Sequence, residues 1–371
     1  MPVDCLQLTS PLDGDILNRH DGAETDDGLT VEVRGTAPKG ATVTVNGAPA
    51  VVVGDALWSR MTLHRQRNEI IALGSRGDRT WKDAITVLWD KQSRPRYRFS
   101  IDDNIEFLCD LGTDPDSFAS LFDHWYLAFW QEMHREFGAK IHVNIYYQTM
   151  DRRFTLAQMP TKWRDEWEGN SDWLRLTFHA LQNEPNRIYK DAPYARMAGD
   201  FDLVVGEIQR FAGESVLSQA TTVHWAEAPR DACRALHDRG IRRLIALCRR
   251  QSSGECTTGY YLSPKTVDHC DARDYWYDTE TDLLFLTCDA VVNGLQVAGV
   301  DPHLDRQAES PHTSELIELL IHEQYFRKEL PNFQPDIREK TIRALKWVTD
   351  RGHEPVFWGD GFCGNPVEAP K

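Results

Sequence analysis

Residues 97–107 read YRFSIDDNIEF. A β-prone lead-in of Tyr97, Phe99 and Ile101 runs straight into two adjacent carboxylates, Asp102 and Asp103, followed by Asn104. Successive strand residues point to opposite faces, so a strand continuing through this pair would send one carboxylate into a core. A strand that ends there lets both turn into a shared cleft. Open α/β sheets and β/α barrels keep their chemistry at that position.

From this stretch onward, apolar β-like runs alternate with longer helical ones. SFASLFDHWYLAFWQEMHREFG (117–138) leads into KIHVNIYY (140–147), and WLRLTFHA (173–180) precedes DFDLVVGEIQRFAG (200–213). TTVHW (221–225), RDACRALHDRG (230–240), RRLIALC (242–248), LLFLT (283–287), ELIELLIH (315–322) and DIREKTIRALKWVTDRG (336–352) continue the series. The alternation predicts an α/β domain over residues 97–371 with a parallel sheet, closed or partly closed into a distorted β/α barrel. Phe118, Phe122, Trp125, Phe129 and Trp130 predict the core-facing side of a helix.

Residues 1–90 have another character. LTVEVRG (29–35), ATVTVNGAPAVV (41–52), ALWSRMTLH (56–64), NEIIALGS (68–75) and DAITVLW (83–89) are short alternating runs separated by turn residues. Asn46-Gly47 is a hairpin signal. The spacing predicts an all-β sandwich, with Trp58 and Trp81 in its core, joined by a polar linker at 91–96. The order SPLDG, TVEVRGTAPKGATVTVNG, RNEIIALGS resembles the bacterial immunoglobulin-like modules appended to carbohydrate-active enzymes.

The 371 residues carry a formal charge of −15 with no compensating basic block, which argues against a nucleic-acid partner. No apolar stretch is long enough to span a membrane. The N-terminus MPVDCLQLTSPLDG lacks the basic and apolar regions of a signal peptide, so the expectation is a cytoplasmic protein, or a secreted one if a leader has been trimmed. The eight cysteines form no CxxC pair and read as free thiols.

Three strand ends carry ionisable residues: SIDDN, LTFHA with His179, and LLIHE with His322; TTVHW offers His224 as a fourth. A β/α face assembles catalytic groups from several strand ends in this way. The polar stretch QNEPNRIYKDAPYARMAGD (182–200) directly follows His179 and makes Tyr194 and Arg196 candidates for substrate contact. Asp289, after LLFLT, is a further candidate. HEQYF (322–326) begins like a zinc-protease motif but has Phe326 where the second His is required.

The SIDDN stretch resembles the TFDDG motif of the polysaccharide deacetylases, the NodB-homology or carbohydrate esterase 4 type. FGAKIHVNIYY fits that family's turn and second strand, and Leu320-Ile321-His322 fits its Leu-x-His strand. The resemblance runs over about residues 96–358. It implies Asp102 as general base, Asp103 as metal ligand and His322 as general acid, with a neighbouring carboxylate tuning it. The implied cofactor is a divalent metal such as zinc, and the implied activity is hydrolysis of an N- or O-acetyl group on a carbohydrate.

The chain departs from that pattern in three places. The family's His-x-x-x-His motif becomes His179-Ala-Leu-Gln-Asn183, its Arg-Pro strand is replaced by TTVHW, and its final Gly is Asn104. His224 or Asn183 is then left to complete the ligands beside Asp103 and His179, while Asn104 alters the turn and the pocket's rim, where substrate binds. A non-catalytic carbohydrate-binding protein with a relict site, and a carboxylate-based glycoside hydrolase, are the competing expectations.

Overall fold

The computed structural model describes residues 4–250, 253–256 and 258–358; Cys363 and the end of the expected second domain lie outside them. The chain divides into two compact units.

The first unit comprises residues up to Arg94 together with Trp276–Asp282. One sheet orders Gln7–Ser10, Gly28–Thr36, Ala56–Leu63 and Val51–Val53, with Gly22–Thr25 beside the second of these. The other orders Ile16–Leu17, Arg79–Trp89, Arg67–Arg76, Thr42–Val45 and Ala48–Pro49. Their alternate residues meet in one core that includes Leu29, Val31, Val33, Val43, Val45, Leu57, Ile70, Val87 and Trp89. Asn46 and Gly47 both have positive φ (46° and 83°), the two-residue turn whose twist matches antiparallel strands. Trp58 is not in this core: it is 38% exposed, with the Arg60 guanidinium 5.3 Å from its ring.

In the second unit the Arg96–Asn104 strand lies at the centre of a parallel sheet. Leu174–Ala180 and Ile141–Tyr146 flank it on one side, and Leu316–His322 and Ala290–Val291 on the other. These strands are buried along nearly their whole length, as expected where helices cover both faces. Ala220–Thr221, Arg243–Ala246 and Leu283–Thr287 pair in parallel in a separate sheet.

The expected immunoglobulin-like sandwich followed by a distorted β/α barrel is therefore corrected to a mixed α/β protein. The parallel strands form no closed barrel among the described residues. Ala220–Thr221 and Ala290–Val291 contribute two residues each, too few for the continuous ladder that closure requires. Nor do residues 1–90 stand apart as an immunoglobulin-like module. Trp276–Asp282, from far along the chain, belongs to the same unit, and Tyr277 N donates to Gly14 O at 3.0 Å. Gly14 has φ +90°, and a Cβ there would lie 2.2 Å from Tyr277 O, so the approach requires glycine.

The expected helix over 117–138 is shorter. Ser120 caps a 3₁₀ turn at Leu121–Asp123, and the helix itself runs Trp125–Phe137, ended by Gly138 in the left-handed conformation. Tyr126, Phe129, Trp130 and Met133 form its buried face, whereas Trp125 is 39% exposed. No described helix is long and apolar enough to cross a membrane.

Candidate metal centre

The pairing of the central strand with Ile141–Tyr146 slips at the two aspartates: Ile101 faces Val143, but the next partners are Asn104 and Ile145. Three residues advance on one strand against two on the other, which is a β-bulge. Asp103 takes up the extra residue with φ 62°, in the left-handed region that Asp tolerates better than most residues. The bulge aims both carboxylates at one cavity. The strand does not end at the pair, as the alternation suggested; it kinks there.

Asn104 holds the bulge. Its Nδ2 donates to Ile101 O at 2.7 Å and Asn144 O at 3.1 Å, and its Oδ1 accepts from the Tyr126 hydroxyl at 3.1 Å. It is fully buried and does not line the cavity. This corrects its expected place at the substrate rim.

His179, one residue short of the end of Leu174–Ala180, brings Nε2 to 3.1 Å from Asp103 Oδ1. His224 lies in a short 3₁₀ turn beyond Ala220–Thr221, not on the expected strand. Its Nδ1 is 3.4 Å from Asp103 Oδ1 and 3.2 Å from His179 Nε2. One ligand atom from each of Asp103, His179 and His224 falls within 4.8 Å of the others.

Backbone carbonyls fix both rings. His179 Nδ1 donates to Thr222 O at 2.5 Å and His224 Nε2 to Asn183 O at 3.1 Å. The remaining nitrogen of each ring faces Asp103, the ring orientation usual behind metal-binding histidines. Asn183 thus supports the cluster through its carbonyl, while its Oδ1 lies 3.2 Å from the Tyr146 hydroxyl.

Tyr146 and Gln324 are close partners that the sequence reading missed. The Tyr146 hydroxyl donates to Asp103 Oδ1 and lies 2.9 Å from His224 Nδ1. Gln324 Nε2 donates to Asp103 Oδ2 at 2.8 Å. The available signal was position: Tyr146 ends the strand beside SIDDN, and Gln324 is two residues beyond His322.

Burial pushes the Asp103 carboxyl up, but the His179 and His224 rings outweigh it and hold it well below the usual carboxylate range. For Asp102 burial wins: it pushes the carboxyl up against the lowering effect of the His179 and His322 rings and of the bond from Asn144. Burial opposes a proton on His179, yet the Asp102 charge and the bond to Asp103 leave its pKa raised. The same negative field favours any cation at that point.

His322 pairs with Asp102 across adjacent strands and lines the same cavity. Its Nδ1 donates to Asn293 Oδ1 at 2.8 Å, so a neutral amide stands where a tuning carboxylate was expected. Glu323 is fully buried and accepts from the N–H groups of Ile105, Glu106 and Phe107 at 2.9, 3.0 and 2.7 Å. It thereby caps the Glu106–Thr113 helix, which has no side-chain cap of its own. The helix start is thus tied to the loop that follows His322.

The cavity holds about 340 Å³ and combines these polar groups with an apolar side of Ile245, Leu247, Val291 and Leu320. At its edge Trp225 is 44% exposed, with the Arg187 guanidinium 5.5 Å from its ring. Trp225 and Ala226 both have positive φ (67° and 48°), a strain that persists only where surrounding structure imposes it. Hydrogen bonds from Ala226 N to Val223 O (2.6 Å) and from Tyr260 N to Ala226 O (2.8 Å) do so here.

Three further candidates are not part of the cluster. The Tyr194 hydroxyl bonds Asp238 at 2.9 Å, and Arg196 lies over Tyr189 and 3.8 Å from Asp200. Asp289 is buried, accepting from Glu318 N at 2.7 Å. None of the three lines the cavity. The helix Tyr194–Ala212 begins at Tyr194 and carries the first two away on its own surface.

No family model matches the chain, and no curated protein does. The endo-beta-1,4-mannanase from Thermotoga petrophila is 16% identical, with 24% of this chain and 20% of that one covered at a TM-score of 0.19. A provisionally named alpha-galactosidase from Bacteroides fragilis is 9% identical over 93% of this chain and 77% of that one, at 0.26. A Parabacteroides merdae beta-glucuronidase is 11% identical over 86% and 47%, at 0.25. The chain spans about a fifth of the length of the mannanase. Likeness at these scores assigns neither fold nor activity.

Proposed function

We propose that the protein is a metal-dependent hydrolase that removes an N- or O-acetyl group from a carbohydrate, with a site resembling that of the polysaccharide deacetylases. One observation carries the reading. Asp103, His179 and His224 converge their ligand atoms within 4.8 Å, beside a second carboxylate, Asp102, and an imidazole, His322, on the same cavity.

Two imidazole nitrogens and one carboxylate oxygen, each imidazole backed by a carbonyl, suit zinc. When bound, the metal supplies Lewis acidity and lowers the pKa of water. The protein's own groups divide the remaining work. Asp102, raised by burial, accepts a proton from the attacking water. His322 Nε2, its ring held through Nδ1 by Asn293, faces the leaving group and exchanges a proton with it. The apolar side of the cavity takes the acyl methyl and excludes bulk water. Trp225 offers an aromatic face at the mouth for a sugar ring.

A two-carboxylate glycosidase is less well supported. The acids lining the cavity are Asp102 and Asp103, and Asp103 is already engaged by both imidazoles. The deciding experiment measures acetate release from N- and O-acetylated oligosaccharides, before and after exhaustive chelation and after zinc is restored. Release that needs metal supports the proposal. Glycosidic cleavage that survives chelation rejects it.

A further inference from the structure

The polysaccharide deacetylases steady their catalytic base with an arginine, and this chain has no such residue at the corresponding strand. A different group stands beside Asp102. Asn144, on the Ile141–Tyr146 strand, is fully buried and donates from Nδ2 to Asp102 Oδ1 at 2.5 Å.

The orientation of that amide is dictated from behind. Asn144 Oδ1 accepts from Thr222 N at 3.5 Å, while the Thr221 hydroxyl beside it donates to Phe178 O. A flipped amide would set its NH₂ against the Thr222 N–H, donor against donor in a buried site. The backbone on both sides is held as well. Asn144 O accepts from Asn104, the residue that clamps the bulge, and Thr222 O accepts from His179. Asn144 therefore sits where the strand of Asp102 and the segment leading to His224 meet.

We propose that Asn144 is the positioning residue of this site: it occupies one oxygen of Asp102 and leaves the other, Oδ2, aimed into the cavity. Among the described residues Oδ2 has no hydrogen-bond partner, and Asp102 lines the cavity. A carboxylate free to rotate would present either oxygen, or neither, to a water. With Oδ1 committed to Asn144, a single oxygen is offered in a single direction. A neutral amide does this without adding a positive charge beside the base. The proposal rests on the reading of Asp102 as the general base, and it gives the base a steadying group that differs in charge and origin from an arginine.

The test uses the zinc-loaded full chain with 4-nitrophenyl acetate as probe, and two variants. Asn144→Ala removes the donor; the nearly isosteric Asn144→Leu removes it while filling the space. In both, kcat falls by about 100-fold while KM and the calorimetric zinc affinity stay at wild-type values. In an Asp102→Asn background, adding Asn144→Leu causes no further loss, because both act through one group. Crystal structures of wild type and Asn144→Leu then show the Asp102 carboxylate turned from its wild-type rotamer in the variant. Unchanged kcat, lost zinc binding, or losses that multiply in the double variant would each overturn the proposal. If wild type releases no acetate, the proposed function fails by itself. The crystal structures still decide whether Asn144 sets Asp102, and an unmoved carboxylate rejects it.

Discussion

His179 Nε2 lies 3.1 Å from Asp103 Oδ1, joining residues 76 positions apart. The contact exists because a bulge rotates Asp103 out of the strand's alternation and Thr222 O turns the imidazole toward it. The pair, with His224, forms a cluster whose ligand atoms lie within 4.8 Å of one another.

The first expectation concerns the cluster directly. His179→Ala and His224→Ala each remove one of the three proposed ligands, and zinc affinity is expected to fall by more than the roughly 10–100-fold that losing a supporting partner costs. Asp103→Asn is preferable to Asp103→Ala, since position 103 has φ 62° and Asn accepts that conformation. Metal content after dialysis and titration calorimetry provide the measurement. Retained stoichiometric zinc in His224→Ala would remove His224 from the ligand set.

Asp102 separates binding from turnover. Asp102→Asn keeps zinc at wild-type stoichiometry but loses about 10²–10⁴ in kcat, the usual contribution of a positioned general base. Acetate release under saturating substrate reads the effect. A fully active variant would end the assignment of Asp102 as base.

Trp225 tests the proposed sugar contact. Trp225→Ala raises KM for an acetylated oligosaccharide about tenfold, equivalent to about 1.4 kcal/mol of binding, and leaves hydrolysis of 4-nitrophenyl acetate unchanged. Equal losses on both substrates would show that the ring shapes the site and does not hold a sugar.

Glu323 bears on stability. Its carboxylate serves three helix N–H groups and the Arg327 guanidinium, 3.3 Å away and equally buried. Glu323→Ala takes the acceptor from the three N–H groups, while Arg327 keeps Asp110 and Glu329, and costs about 1–3 kcal/mol; Glu323→Gln keeps one acceptor and costs less. Urea unfolding measures both.

Asp289 gives a pH signature. Burial pushes its carboxyl from 3.8 up to about 8. Between those values the folded chain holds a proton that the unfolded chain has released. Stability therefore falls as pH rises through that window, by up to about 1.4 kcal/mol per unit. Asp289→Asn keeps an acceptor for Glu318 N and removes this slope. It leaves the contributions of Glu318 and Glu323, which burial pushes up to about 7, and of Asp274, which burial also raises. Unfolding midpoints across the range check it, and an unchanged profile would show Asp289 ionised in the folded state.

Much of the local order could be read from the chain. Alternation located the half-buried Gly28–Thr36 strand, and short apolar runs located Arg96–Asn104, Leu174–Ala180 and Leu316–His322, to within a few residues. Burial of one face imposes a period, and burial of both gives a continuous run. The same reading placed Asp102, His179 and His322 near strand ends, where the parallel sheet brings them to one cavity. It misplaced Trp58 and Asn104, since an apolar or polar side chain says nothing of which long-range neighbour will cover it.

The sequence by itself determined most of the strands and helices, though not the short turn that carries His224, and at which ends Asp102, His179 and His322 stand. Only the tertiary structure decided that the sheets stay open, that a bulge turns Asp103 beside Asp102, and that Tyr146, Asn144, Asn293 and Glu323 serve the site. The physical reason is range. Periodicity records how a segment meets its immediate faces, whereas ladder closure, register slips and hydrogen-bond partners 40 to 218 positions away depend on which segments pair.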